Sequence, residues 1–186
     1  MEIYMTELRK GRPSDISGRT EKEIRVYELL DSLNVDYEGL DHERADTMQA
    51  CVEIDAALGT EICKNLFLCN RQKTEFYLLL MPGDKPFKTK ELSGQLGVSR
   101  LSFGSPEDME SLLGVTPGSA TVLSLMNDTD HRVTLLIDTD VLKSEYIGCH
   151  PCVNTSSLKI ATRDIIDKFL PKTGHFITPV RLVGEE

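Results

Sequence analysis

The sequence predicts a mixed α/β (α+β) fold, a single domain in which a central mixed sheet is surrounded by helices. Three observations lead there. Short strand-like runs are interspersed irregularly with helix-like runs, unlike the strict alternation of a doubly wound sheet. Two apolar runs, 61–69 and 74–81, flank the polar turn Asn70-Arg71-Gln72-Lys73, the signature of a hairpin. The 186 residues, 40% of them hydrophobic, suffice for one core, of a size that buries roughly 70% of the unfolded surface.

Residues 1–19 are polar, with Gly11, Pro13 and Gly18, and read as a loose leader to a domain spanning 20–186. Thr20-Glu21-Lys22-Glu23 is a capping box, so a helix starts there, with Ile24, Tyr27, Leu30 and Leu33 near one stripe. Residues 35–41 read as a short strand. Asp46 or Thr47 caps a second helix that places Met48, Cys51, Val52 and Leu58 inward and stops at Gly59. After the hairpin and the Pro82-Gly83-Asp84 turn, Thr89 to Leu96 forms a short helix ended by Gly97. Ser105-Pro106 opens another, with the hydroxyl as cap, and Gly114 ends it. Thr121 to Met126 and Val133 to Ile137 read as strands, as do 145–149 and 156–160. Thr162 opens a last helix closed by Pro171, and Phe176 to Val183 adds a strand.

Composition narrows the function. The first twenty residues hold no apolar run of a signal peptide, and the run Phe76 to Met81 is far too short to span a bilayer, so no membrane partner is expected. Five cysteines in no regular framework fit reduced thiols in a cytoplasm. A net charge of −9 argues against a general nucleic-acid binder. Residues 64–100 nevertheless carry seven basic and three acidic side chains. That island is either a solvated hairpin or a local landing site for a nucleic-acid end.

Four groups of residues bear on chemistry. Lys64 interrupts the strand Ile62-Cys63-Lys64-Asn65-Leu66-Phe67-Leu68. Alternation points it with Ile62, Leu66 and Leu68, and points Asn65 with Cys63, Phe67 and Cys69. Its ammonium either snorkels to water or lines a cleft, where it meets a phosphate or a developing oxyanion. Gly114-Val115-Thr116-Pro117-Gly118-Ser119 is a tight turn, serving as punctuation or as a pocket wall offering free backbone N–H groups. Gly148-Cys149-His150-Pro151-Cys152 holds a histidine with its backbone fixed on both sides, in either a structural or a functional role. Asn154-Thr155-Ser156-Ser157 is a cluster of small hydrogen-bonding side chains leading into a strand. One Cys-x-x-Cys supplies at most half of a zinc site, and it lacks the strand-to-helix context of a thioredoxin-like motif. No Gly-x-Ser-x-Gly, Walker loop or His-Glu-x-x-His occurs, so an enzyme here would activate water by positioning.

Lys64-Asn65, the turn 114–119 and Gly148-Cys149-His150-Pro151, in that order and spacing, resemble the YbaK-like editing domains associated with prolyl-tRNA synthetase, most closely the free-standing ProX group. Asp41-His42, the helix opening at Thr47 and Val133 to Asp138 fit as well, so the resemblance covers about residues 20–183. It implies the family's mixed α/β fold and a trans-editing hydrolase, an aminoacyl-tRNA deacylase that cleaves alanine from mischarged tRNA(Pro), without cofactor or metal. The acceptor end of tRNA(Pro) is the expected partner, with help from prolyl-tRNA synthetase. It also implies catalytic roles for Lys64, Gly148 and His150, and substrate binding by Asn65, Leu68, Gly114, Pro117, Gly118 and Ser119. One departure is Ser119-Ala120-Thr121-Val122, where the resemblance leads us to expect Ser-Val-Thr-Pro or Ser-Pro. Two other readings stand beside this one: a non-catalytic aminoacyl-tRNA or amino-acid binding module on the same fold, and a thiol oxidoreductase using Cys149 and Cys152.

Overall fold

The computed structural model describes residues 2–184. Thr20 accepts a hydrogen bond from the Glu23 backbone, so α1 (Glu21–Ser32) starts where the capping box predicts. It buries Val26, Tyr27 and Leu30, while Ile24 and Leu33 are only partly covered. Thr47 caps α2 (Met48–Leu58) by accepting from Ala50, and Gly59 ends it in the left-handed conformation at φ 79°. Helix α3 (Thr89–Leu96) and helix α4 (Pro106–Leu113) end the same way at Gly97 and Gly114. Between β6 and β7, below, sits the short α5 (Thr139–Lys143).

The strands make two sheets. The first, antiparallel throughout, has the order β1 (Arg9–Lys10), β2 (Tyr37–Asp41), β8 (Ser156–Ala161), β7 (Tyr146–Cys149). The second runs β5 (Ser102–Phe103), β3 (Lys64–Cys69), β4 (Phe76–Met81), β6 (Val133–Asp138), β9 (Ile177–Val180). In it β5, β3 and β4 pair antiparallel, whereas β4, β6 and β9 are parallel. Central β4 is buried along its whole length, which is why Phe-Tyr-Leu-Leu-Leu-Met shows no polar alternation. Phe67, Leu78, Leu80, Leu135 and Ile137 face the main core, shared with Ile147, Leu158 and Ile160 of the first sheet and with α1. Leu68, Leu79, Met81 and Leu136 face a second cluster with Leu92 and Leu101.

The sheets meet along a seam that matters for the site. Gly148 of β7 bridges Ile62 in parallel register, just before β3, and the Cys63 amide donates to the Gly148 carbonyl at 3.1 Å. A Cβ on Gly148 would lie 2.6 Å from the Glu61 carbonyl oxygen, so the close approach of two backbones requires glycine here.

Several local expectations differ from what is found. Val122–Asn127 is a 3-10 helix, not a strand: Thr121 caps it by accepting from Leu123, a bond that an extended chain could not make. In α2, Met48 and Val52 are 81% and 58% exposed, and Ile54 with Leu58 supplies the buried side. The last helix does not close at Pro171. Thr162–Asp164 (α6) passes through a π-helical turn, Ile165–Phe169, into α7 (Leu170–Thr173), which ends at Gly174. Pro171 falls in the first turn of α7, after the helix has been reset, where a missing N–H costs little. Within the polar segment 1–19, β1 pairs with β2, Met5 bridges His42, and Arg19 forks onto Asp41 at 3.0 and 2.6 Å.

Candidate active site

The seam sets β3 beside the turn after β7. Between them opens a cavity of about 220 Å³ lined by Cys63, Asn65 and Phe67 of the β3 segment, Pro117, Gly118 and Ala120 of the turn after α4, and His150. Three motifs far apart in the chain thus converge on one space. Its wall holds an unusual polar atom. Asn65 Nδ2 donates to the Cys63 carbonyl at 2.9 Å, which fixes the amide orientation, and Asn65 Oδ1 is buried with no partner among the described residues. Buried acceptors are nearly always paired, so an orphan oxygen on the side chain of a cavity-lining residue is an exception that calls for a donor.

His150 Nδ1 sits 2.8 Å from the Ser156 carbonyl and 3.3 Å from Ser157 Oγ. Burial draws its pKa below the ordinary histidine value; the Ser156 carbonyl opposes this, and nearby His42 adds to it. The ring is therefore neutral at pH 7.

Of the nine site residues expected from the sequence, Asn65, Pro117, Gly118 and His150 line the cavity. Lys64 is on the other face of β3, as alternation demands, with its ammonium donating to the Lys85 carbonyl at 2.6 Å. Lys85 in turn reaches Asp138 at 2.7 Å and Asp140 at 2.9 Å. Leu68 is fully buried in the second cluster. Gly114 serves as the left-handed end of α4, its backbone against Asn127. Ser119 is buried in its turn and donates its amide to Thr116. Gly148 makes the seam and only indirectly shapes the cavity.

Six lining residues were not among those expected from sequence: Cys63, Leu66, Phe67 and Ala120 beside the expected positions, and Phe103 and Met109 from further away. Phe103 arrives through the two-residue strand β5, opposite Leu68. The only sequence signal was Gly104 behind it, where a Cβ would strike the Phe67 ring at 2.5 Å. Phe103 is 62% exposed and meets Phe87 edge-on at 6.0 Å. Phe87 belongs to a neighbouring groove of about 640 Å³, which Lys88, Lys90 and Arg100 also line.

Comparison with known proteins identifies the family. A profile of the aminoacyl-tRNA editing domain matches residues 42–168, which include β3, the turn after α4 and His150. The chain belongs to the aminoacyl-tRNA editing domain family. It is 25% identical over 157 residues to the prolyl-tRNA editing protein ProX of Acetoanaerobium sticklandii, covering 84% of this chain and 95% of that protein. It is 31% identical to the prolyl-tRNA synthetase associated domain-containing protein 1 of Danio rerio, with 83% of each chain covered. A solved structure described as a candidate trans-editing enzyme for prolyl tRNA synthetase shares the fold, with a TM-score of 0.63 at 16% identity over 88% of this chain and 98% of that one. The expected fold and family are therefore confirmed, and with them the expected enzyme class, an aminoacyl-tRNA deacylase.

The cysteines of the Cys-x-x-Cys are free and buried. Burial pushes the Cys152 thiol up to about 12 and Cys149 higher still, so neither offers a thiolate at neutral pH. Cys63, in the cavity wall, is likewise raised to about 12, first by burial and then by Glu61 and Asp55. Among the described residues no helix is long and apolar enough to cross a membrane, and no group of three or more His, Cys, Asp or Glu is gathered as a metal site would need.

Proposed function

We propose that this protein is a trans-editing deacylase that releases alanine from mischarged tRNA(Pro). The observation carrying this reading is the unpartnered Oδ1 of Asn65, a residue that lines a cavity of about 220 Å³; a small rotation of the amide turns this oxygen to the ligand. The α-ammonium of an aminoacyl ester donates to it, and Cys63, Phe67 and Ala120 surround the methyl side chain. The Pro117-Gly118 turn forms the steric wall that rejects proline; exclusion by size is the easy direction of editing.

The ester is activated, so a positioned water suffices. The water oxygen bonds to the ester carbonyl carbon and its proton passes to His150 Nε2. The bond from that carbon to the ribose oxygen then breaks, and the ribose oxygen takes the proton, leaving alanine and free tRNA. Lys64, on the opposite face of β3, serves the phosphate of the terminal nucleotide. The exposed Phe103 and the groove with Lys88, Lys90 and Arg100 extend a basic path for the acceptor end, matching the charge island at 64–100. The names of the relatives, ProX among them, support the tRNA(Pro) assignment, and prolyl-tRNA synthetase is the natural supplier of the substrate.

The test is a deacylation panel with Ala-, Cys-, Ser- and Pro-tRNA(Pro). Alanine release at least tenfold faster than proline release is expected. Tight tRNA binding without release of any amino acid would favour a binding module on the same fold.

A further inference from the structure

The polar groups behind His150 determine what that ring presents to the cavity. His42 is buried, with Nδ1 2.8 Å from its neighbour's carbonyl, Glu43 O. A carbonyl only accepts, so Nδ1 carries the proton. Burial draws His42 below the ordinary histidine value, opposed by the Glu43 carbonyl and by Asp41, so the ring is neutral and Nε2 is bare. That bare nitrogen lies 2.8 Å from Ser157 Oγ, and the hydroxyl must donate to it. The single proton of Ser157 is thereby committed. Toward His150 Nδ1, Ser157 Oγ can only accept, and so can the Ser156 carbonyl.

We infer that His42 and Ser157 are positioning residues which, with the Ser156 carbonyl, hold His150 as its Nδ1–H tautomer and leave Nε2 as an acceptor toward the cavity. Nε2 has no protein hydrogen-bond partner among the described residues. The relay runs from the Glu43 carbonyl through His42 and Ser157 to the His150 ring, spanning segments 42–43, 150 and 156–157. Few charges disturb it. Asp41 is the one acting on His42, and it is engaged by Arg9 at 3.2 Å and Arg19 at 2.6 Å. Among the described residues, His42 is the one titratable group that acts on His150, and it opposes a charge on that ring; Cys149 and Cys152 stay protonated. The catalytic consequence rests on the proposed function: a neutral ring with a bare nitrogen accepts from the attacking water. The opposite tautomer would donate there and could not take the water's proton.

Two measurements test this. Long-range ¹H–¹⁵N correlation of the histidines in uniformly labelled wild-type protein at pH 7 should show Nδ1–H, Nε2-bare rings for both His42 and His150. An Nε2–H or cationic His150 overturns the inference whatever the activity. The second is alanine release from Ala-tRNA(Pro) across pH by wild type, Ser157→Ala and Ser157→Thr. Ser157→Ala should lower kcat about tenfold with KM little changed. Losing an acceptor that favours the protonated ring should also move the acid limb to lower pH, and Ser157→Thr should restore both. An Ala variant with wild-type kcat and profile overturns the inference. If that variant does not fold, the wild-type tautomers decide. Inferred tautomers in a wild-type protein that releases no amino acid would support the relay and remove the proposed function instead.

Discussion

Replacing Gly148 by alanine separates a structural from a catalytic role for this residue. Its φ is not in the left-handed region, so space is the only issue. The added Cβ would lie 2.6 Å from the Glu61 carbonyl oxygen and 3.0 Å from both the Glu61 carbonyl carbon and Ile62 Cα. All three are backbone atoms and cannot swing aside as a side chain would. Ordinary contact begins at 3.4 Å, so the strands must part by about 0.8 Å. Overpacking of this kind costs about 1–3 kcal/mol, and stretching the Cys63–Gly148 hydrogen bond adds about 1 kcal/mol. For a chain of this length each kcal/mol is worth about 2–4 °C in Tm, which puts the Ala variant about 4–16 °C below wild type. Scanning calorimetry reads this directly, with deacylation measured well below both melting points. A Tm within about 2 °C of wild type refutes the steric reasoning. A stable variant that is nevertheless inactive would mean that the Gly148 backbone acts on the substrate itself.

Four further outcomes are expected. Lys64→Ala should leave stability within about 1 kcal/mol of wild type while lowering the slope of log KM against log salt by about one unit; an unchanged slope removes Lys64 from phosphate contact. Ala120→Val should cut alanine release at least tenfold by filling the cavity, with glycine release spared; equal losses for both would show that Ala120 does not gauge size. Burial raises the pKa of Asp41, but the Arg19 hydrogen bond and the charges of Arg9 and Arg19 outweigh it and hold it at about 2. This stabilisation is in full force above pH 3.8, the unfolded value, and is lost as pH falls through 2. It amounts to about 1 kcal/mol after allowing for solvent at this partly exposed pair. Urea midpoints between pH 6 and 2 should fall less steeply for Asp41→Asn. Converting both Cys149 and Cys152 to serine should preserve deacylation, and strict dependence on either sulfur would revive thiol chemistry.

Much of this was legible in the chain because it depends on neighbours in sequence. The cap at Thr20, the hairpin across Asn70 to Lys73, and the opposite facing of Lys64 and Asn65 follow from local hydrogen bonding and a period of two. The 3-10 helix at 122–127 was not legible, since Val-Leu-Ser-Leu-Met-Asn, with four apolar residues of six, fits a strand equally well until the Thr121 cap is seen. Nor was the exposed face of α2: Met48 and Val52 share the helical period of a buried stripe, and only the placement of α2 against Leu40 shows that Ile54 and Leu58 are the covered side. At the site, the motifs named the right segments but not always the right atoms. Gly148 and Gly114 are held by packing and backbone conformation, whereas Phe103 and Met109 reach the cavity through β5 and α4, whose placement depends on long-range pairing.

Lys64 and Lys85 divide their labour in a way that bears on encounter with substrate. The two carboxylates of Asp138 and Asp140 neutralise the ammonium of Lys85, while Lys64 leans on a carbonyl dipole and has no counter-ion among the described residues. In a chain of net charge −9, that leaves the Lys64 ammonium uncompensated on the face of β3 opposite Asn65. A dipole is given up readily for a full negative charge, whereas a carboxylate partner would have to be displaced against its own attraction. Polyanions should therefore be drawn to this spot from solution, and the pull should weaken as the Debye length shrinks to about 8 Å at physiological ionic strength.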